Sequence, residues 1–129
     1  MVREYAKYMG IAIVLIGVLG VFLGDQSFMN LVNIDIVEDF VHLLTGGLMA
    51  YAGFASRDAD TVRTTVGGIG ILYLMVGLIG FFAPTLFGLL PHGYSLFDNF
   101  LHVALGVTGI AVAWIIGKQD RAVAPAVLG

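Results

Sequence analysis

Two histidines in this chain each follow a carboxylate by four residues: Glu38 precedes His42 and Asp98 precedes His102, with Asp39 and Asn99 three residues before them. On a helix, spacings of three and four put side chains on neighbouring turns of one face, so each imidazole has an acid or an amide within reach. Three kinds of chemistry follow from that set. In the first, Asp35, Glu38, Asp39 and Asp98 stabilise the positive N-termini of helices. The histidines then bond to carboxylates or backbone and tie helices together with no cofactor, which is the default reading. In the second, His42 and His102 hold a transition metal, with Glu38 and Asp98 as oxygen ligands or as partners that orient the rings. In the third, the two imidazoles ligate a b-type haem from opposite sides, and Gly46 and Gly106 supply the clearance. A proton-responsive site is a further reading, because imidazole changes charge near neutral pH. His92, between Pro91 and Gly93, reads as a solvated or interfacial connection residue. No nucleophile with base and orienter, phosphate-cradling loop or H-E-x-x-H motif is present, so the expectation is a protein without enzymatic activity. The absence of cysteine excludes disulfides, thiolate metal sites and covalently attached haem.

The elements that carry these residues are set by composition. The chain has 129 residues, of which 59% are hydrophobic, with six basic and nine acidic side chains. Its mean hydropathy is +0.97. Such a balance excludes an ordinary water-soluble enzyme. A net charge of −3 without a basic cluster removes the footprint of a nucleic-acid binder. Four apolar runs, about residues 5–24, 36–55, 65–83 and 96–117, are each near the roughly 20 residues that a helix needs to cross a bilayer. They lack the alternation of a barrel strand, and lipid leaves backbone groups no partner outside a helix. The whole chain, 1–129, therefore reads as one all-α membrane domain of four transmembrane helices.

A repeat orders the four runs. At an offset of 60 residues, GVLGVF from Gly17 matches GLIGFF from Gly77, and EDFVHLLTG from Glu38 matches DNFLHVALG from Asp98. The repeat units are about 1–60 and 61–120. A two-helix unit brings the chain back to its starting side, so the copies are parallel and form an up-down-up-down bundle. The first run matches the third, a retained span, and lacks a small-residue cleavage site, which argues against a signal peptide. Arg3, Lys7, Arg57, Arg63, Lys118 and Arg121 all fall on one side. The positive-inside rule then puts both termini in the cytoplasm, the chain in the cytoplasmic membrane, and the histidines on the outer side.

Small residues form stripes that let helix backbones approach closely in lipid: His102, Gly106, Gly109, Ala113 and Gly117 on the fourth helix, His42, Gly46, Ala50 and Gly53 on the second. Gly10, Gly17 and Gly24 recur every seven residues on the first, as Gly70 and Gly77 do on the third. Trp114, Tyr5 and Tyr8 read as cytoplasmic interface anchors. The segment PTLFGLLPHGYS reads as a cap in the outer interface.

Asp39 with His42, Asn99 with His102, Gly17 with Gly20 and Gly77 with Gly80 give the chain a D/N-x-x-H-L-like start to its second and fourth helices and a V-G-x-x-G-like end to its first and third. In this pattern it resembles an uncharacterised family of bacterial and archaeal four-helix membrane proteins, catalogued as a domain of unknown function. The resemblance covers nearly the whole chain and departs in Val103, where leucine is usual after the histidine. It implies the fold and topology and no activity. The expected role is a non-catalytic accessory or scaffolding component of the bilayer. The alternatives are a haem- or metal-binding protein, or a small channel or transporter subunit. A homo-oligomer or a membrane-protein partner is compatible with the free outer faces.

Overall fold

A computed structural model of the chain describes residues 1–29 and 31–118, so Arg121 lies outside the described residues. Helix α1 runs Val2–Leu23 and stops at Gly24, whose φ of 75° breaks the helical path. Two short antiparallel strands follow, β1 at Gln26–Phe28 and β2 at Val32–Ile34, with Ser27 opposite Asn33. Helix α2 spans Ile36–Ala55 and α3 spans Ala59–Gly80. After a turn-rich connection, α4 runs Leu96–Ala111 and continues as a π-helical turn over Val112–Ile116. The all-α class holds. The third helix begins six residues ahead of the apolar run that announced it at 65, because Asp58 caps it by accepting from the amides of Asp60 and Thr61. Its first turns are polar and helical at once, a combination that an apolar run cannot reveal.

Three helices, Val2–Leu23, Ala59–Gly80 and Leu96–Ile116, are long and apolar enough to cross a membrane. Large apolar side chains face outward on all sides: Phe22 is 84% exposed and Phe82 92%. A water-soluble fold would bury them, so the chain is a membrane protein whose outer surface suits lipid. In α2 the acidic and imidazole side chains lower the apolar content, yet Glu38, Asp39 and His42 are buried while Phe40, Val41, Leu44 and Leu48 are turned outward.

The helices pair antiparallel, α1 with α2 and α3 with α4, at backbone contact. A Cβ on Gly10 would fall 2.9 Å from the Gly46 carbonyl oxygen and closer still to the Ala50 amide. On Gly70 it would fall 3.0 Å from the Gly106 oxygen and 2.9 Å from the Ile110 amide. The second set of contacts is the first advanced by 60 residues. Gly17 approaches the Asp39 carbonyl as Gly77 approaches that of Asn99, and the side chains of Asp39 and Asn99 fill the spaces that Cβ atoms would take on Gly20 and Gly80. The core is divided by polarity. Ala6, Ile13, Met49, Val62, Val66, Ile69 and Ala113 form the apolar part, which ends at Tyr73. Asp35, Glu38, Asp39, His42, Thr45, Asp98, Asn99 and His102 are buried in the polar part.

The end bearing the chain's start is closed by Arg3, whose guanidinium donates to the Gly53 and Ser56 carbonyls at the C-terminus of α2 at 3.1 and 2.6 Å. Cations belong at that pole of a helix. Trp114, expected at an interface, lies with its ring over Gly67. Tyr5 bonds to Thr108 at 3.1 Å across the two hairpins.

Because no side chain fits at the crossing points, Gly10→Ala and Gly70→Ala should each lower stability by about 1–3 kcal/mol. Gly47→Ala and Gly68→Ala, where an added Cβ meets nothing within 4 Å, should cost nothing. Thermal unfolding of the four variants in detergent checks the ordering.

Candidate metal centre

The site is assembled at the start of α2 and the start of α4. Both helices have an acid at the third helical position, Glu38 and Asp98, but the two acids have different work. In α4, Ser95 is the N-cap: its hydroxyl accepts from the Asp98 amide at 3.0 Å, and the Asp98 carboxylate accepts from the Ser95 amide at 2.8 Å. That reciprocal pair is a capping box. The same Asp98 oxygen also accepts from the Asn33 amide of β2 at 3.1 Å. In α2 the cap residue, Asp35, is turned away from its own helix. Its carboxylate accepts from the His92 amide, the His92 ring and the Gly93 amide at 3.0–3.1 Å. Asp25 caps α2 instead, accepting from the Ile36 amide at 2.8 Å. Glu38 is thereby left without a capping duty and reaches inward.

Glu38 Oε1 lies 3.3 Å from His102 Nε2 and 4.0 Å from His42 Nε2. One ligand atom from each of the three residues lies within 4.8 Å of the others, and all three residues are buried. Tyr73 of α3 completes the wall: its ring is nearly parallel to His102 and His42, with centroids 5.5 and 6.1 Å away, and the two imidazoles are 6.0 Å apart. Thr45 spends its hydroxyl proton on the Val41 carbonyl at 2.7 Å, so the Tyr73 hydroxyl donates to Thr45 Oγ1 at 2.8 Å. Tyr94, from the connection before α4, sets its ring edgewise on His102 at 4.8 Å. Burial raises the pKa of its hydroxyl, and the nearby acids, Glu38 first among them, push in the same direction, so that hydroxyl stays neutral. The Nδ1 atoms of His42 and His102 are buried without a hydrogen-bond partner.

The structure brings together three of the four residues expected to ligate a metal: His42, His102 and Glu38. It does not bring Asp98, which the cap and the β2 amide occupy. Two imidazoles and one carboxylate are a donor set suited to zinc or other divalent first-row ions, and three protein ligands leave a position open. The 4.0 Å between His42 Nε2 and Glu38 Oε1 is wider than ligands bound to one ion would show.

Haem fits less well. Axial ligation needs each imidazole to aim a nitrogen at iron from opposite faces of a flat macrocycle, whereas here both Nε2 atoms converge on one carboxylate oxygen. The clearance expected of Gly46 and Gly106 is also taken. A Cβ on Gly46 would meet the Val14 amide at 2.7 Å, and one on Gly106 the Leu74 amide at 2.5 Å. The two glycines are seats for the facing helices.

Sequence reasoning missed Tyr73, although it falls between Gly70 and Gly77 on the small-residue stripe of α3 at helical spacing. His92 is exposed, in keeping with a solvated or interfacial connection residue; what sequence reasoning missed is that its ring is bonded to a fully buried Asp35. The tie between them spans 57 residues, which no local pattern reveals.

Fold and site together define a helical membrane protein with a buried Glu-His-His group. Comparison with family models, with curated proteins and with solved structures finds no match.

Asp35→Ala removes three hydrogen bonds to a buried carboxylate, and bonds to charged groups are worth about 1.5–3 kcal/mol each before compensation. The expected result is a loss of about 3 kcal/mol with faster amide exchange at His92 and Gly93, measured by hydrogen exchange in detergent. Tyr73→Phe keeps the ring and loses one bond, and should cost about 1 kcal/mol.

Proposed function

We propose that this chain is a four-span protein of the cytoplasmic membrane that binds a divalent transition metal at its outer end through Glu38, His42 and His102. The observation that carries the reading is the convergence of these three buried donors from two helices of different hairpins. A carboxylate buried beside two imidazoles gains most from a cation held among them, since its described ion-pair partners are those rings alone. The four spans form an up-down-up-down bundle of two parallel hairpin repeats with both termini in the cytoplasm. Supporting this are the antiparallel pairing in each hairpin, the contacts that recur after 60 residues, the inward turn of the polar groups of α2, and the basic residues at the end opposite the site.

A second reading, the accessory scaffold without a metal, draws on the same rings. His42, Tyr73 and His102 pack on one another and tie α2, α3 and α4 together, and aromatic pairs contribute about 0.5–1.5 kcal/mol each beyond burial.

Metal analysis separates the two. Protein purified in detergent without chelator should carry about one transition-metal ion per chain, or take up one Zn²⁺ after chelator treatment, as read by elemental analysis and competition with a chromophoric chelator. His42→Ala, His102→Ala and Glu38→Gln should each weaken zinc binding at least tenfold, while Asp98→Asn leaves it unchanged. Because the ligands must be deprotonated, affinity should fall as pH is lowered. Absence of stoichiometric metal, with the histidine variants merely melting earlier, establishes the scaffold reading instead.

A further inference from the structure

A cavity of about 270 Å³ lies between α2 and α3 beneath the connection that leads into α4. Its floor is the Glu-His-His group with Tyr73, and its walls include Val41, Leu72, Val76, Leu89 and Leu90. Exposure sets the direction of its mouth. Glu38, His42, His102 and Tyr73 are buried at the bottom, whereas Leu44, Leu72 and Leu89, at 65%, 41% and 64% exposure, form the rim on the face that meets lipid. In the four-span reading, on which this inference rests, that rim faces acyl chains and entry is from the bilayer. A solute that reaches it must therefore partition into lipid, and at the floor it meets polar side chains in a lining that is otherwise apolar.

Size and chemistry narrow the occupant. An apolar cavity of about 150 Å³ takes up benzene, so this one has room for a single ring bearing a few substituents. The ring walls of Tyr73, Tyr94, His42 and His102 favour a flat aromatic guest over an acyl chain. The Glu38 carboxyl on the floor has an oxygen that can accept, which matches a guest that brings a hydroxyl. A bare hydrocarbon makes no such bond.

We propose that this cavity is a binding site for a lipid-soluble one-ring phenol or hydroquinone, entering sideways from the bilayer and donating its hydroxyl to Glu38. The inference goes beyond the metal reading and does not depend on it, because the cavity, its lipid-side mouth and its acceptor exist without an ion.

Fluorine NMR on the full chain in lipid nanodiscs tests it, with para-trifluoromethylphenol as the probe and para-trifluoromethyltoluene as its hydroxyl-free counterpart, both compared with empty nanodiscs. The phenol should show saturable binding at one site per chain, at least tenfold tighter than the toluene. Glu38→Gln should weaken the phenol about tenfold and leave the toluene unchanged. Val76→Phe, which fills the cavity from α3, should abolish both, with circular dichroism confirming that each variant keeps its helices. Phenol uptake equal to that of empty nanodiscs overturns the proposal even if every variant misfolds. Equal binding of the two probes overturns it in favour of a pocket for lipid chains, and undiminished phenol binding in Glu38→Gln overturns the assigned acceptor and with it the proposal. Measurements on chelator-treated and zinc-loaded protein keep the two readings apart. Phenol binding without zinc uptake sustains the cavity and removes the metal, and the reverse removes the cavity alone.

Discussion

Helices in lipid have no hydrophobic reason to associate, since acyl chains solvate an apolar side chain as well as another helix does. What remains is contact at the backbone, and the molecule depends on it. Glycine at the crossings of α1 with α2 and of α3 with α4 brings main chains so near that an alanine would collide with an amide or a carbonyl. Once two helices are that close, their neighbouring turns are also close, and the polar side chains at one end have no route to the lipid. Burial of Asp39 and Asn99 against Gly20 and Gly80 is a result of this approach.

Polar groups gathered by such packing have to satisfy one another, and here they divide the task unequally. The two hairpins are alike in their glycine contacts and differ in their acids. Asp98 is held by the start of its own helix and by β2, while Asp35 is held by the connection on the far side of the bundle. Each of these carboxylates joins segments distant in sequence and closes the outer end. Glu38 has neither duty and faces the imidazoles. One carboxylate therefore serves two imidazoles, and an arrangement that local spacing presents as two equivalent pairs becomes one asymmetric cluster.

Much of this was legible in the residues. The start of α2 at Ile36 and of α4 at Leu96 follows from acids and a serine placed just before apolar runs, and the glycine stripes foretell which faces meet. Glu38, His42 and His102 were identifiable because helical spacing is local. The role of Asp98 was not, since a serine three residues before an aspartate competes with the histidine four residues after it, and only geometry decides between them. The short β1–β2 ribbon carries little signal, being two strands of three residues each. The bonds of Asp35 to His92 and Gly93 are contacts between hairpins, and such contacts have no period.

The π-helical turn over Val112–Ile116 admits one extra residue per turn at the far end of α4. That surplus changes the angular position of everything after it, and it coincides with the indole of Trp114 resting on Gly67. Since the chain has a single tryptophan, its indole emission originates wholly from the seam between α3 and α4, at the opposite pole from the histidines. The molecule thus carries an intrinsic optical gauge of whether its second hairpin is zipped shut, one that is remote from the floor of the cavity.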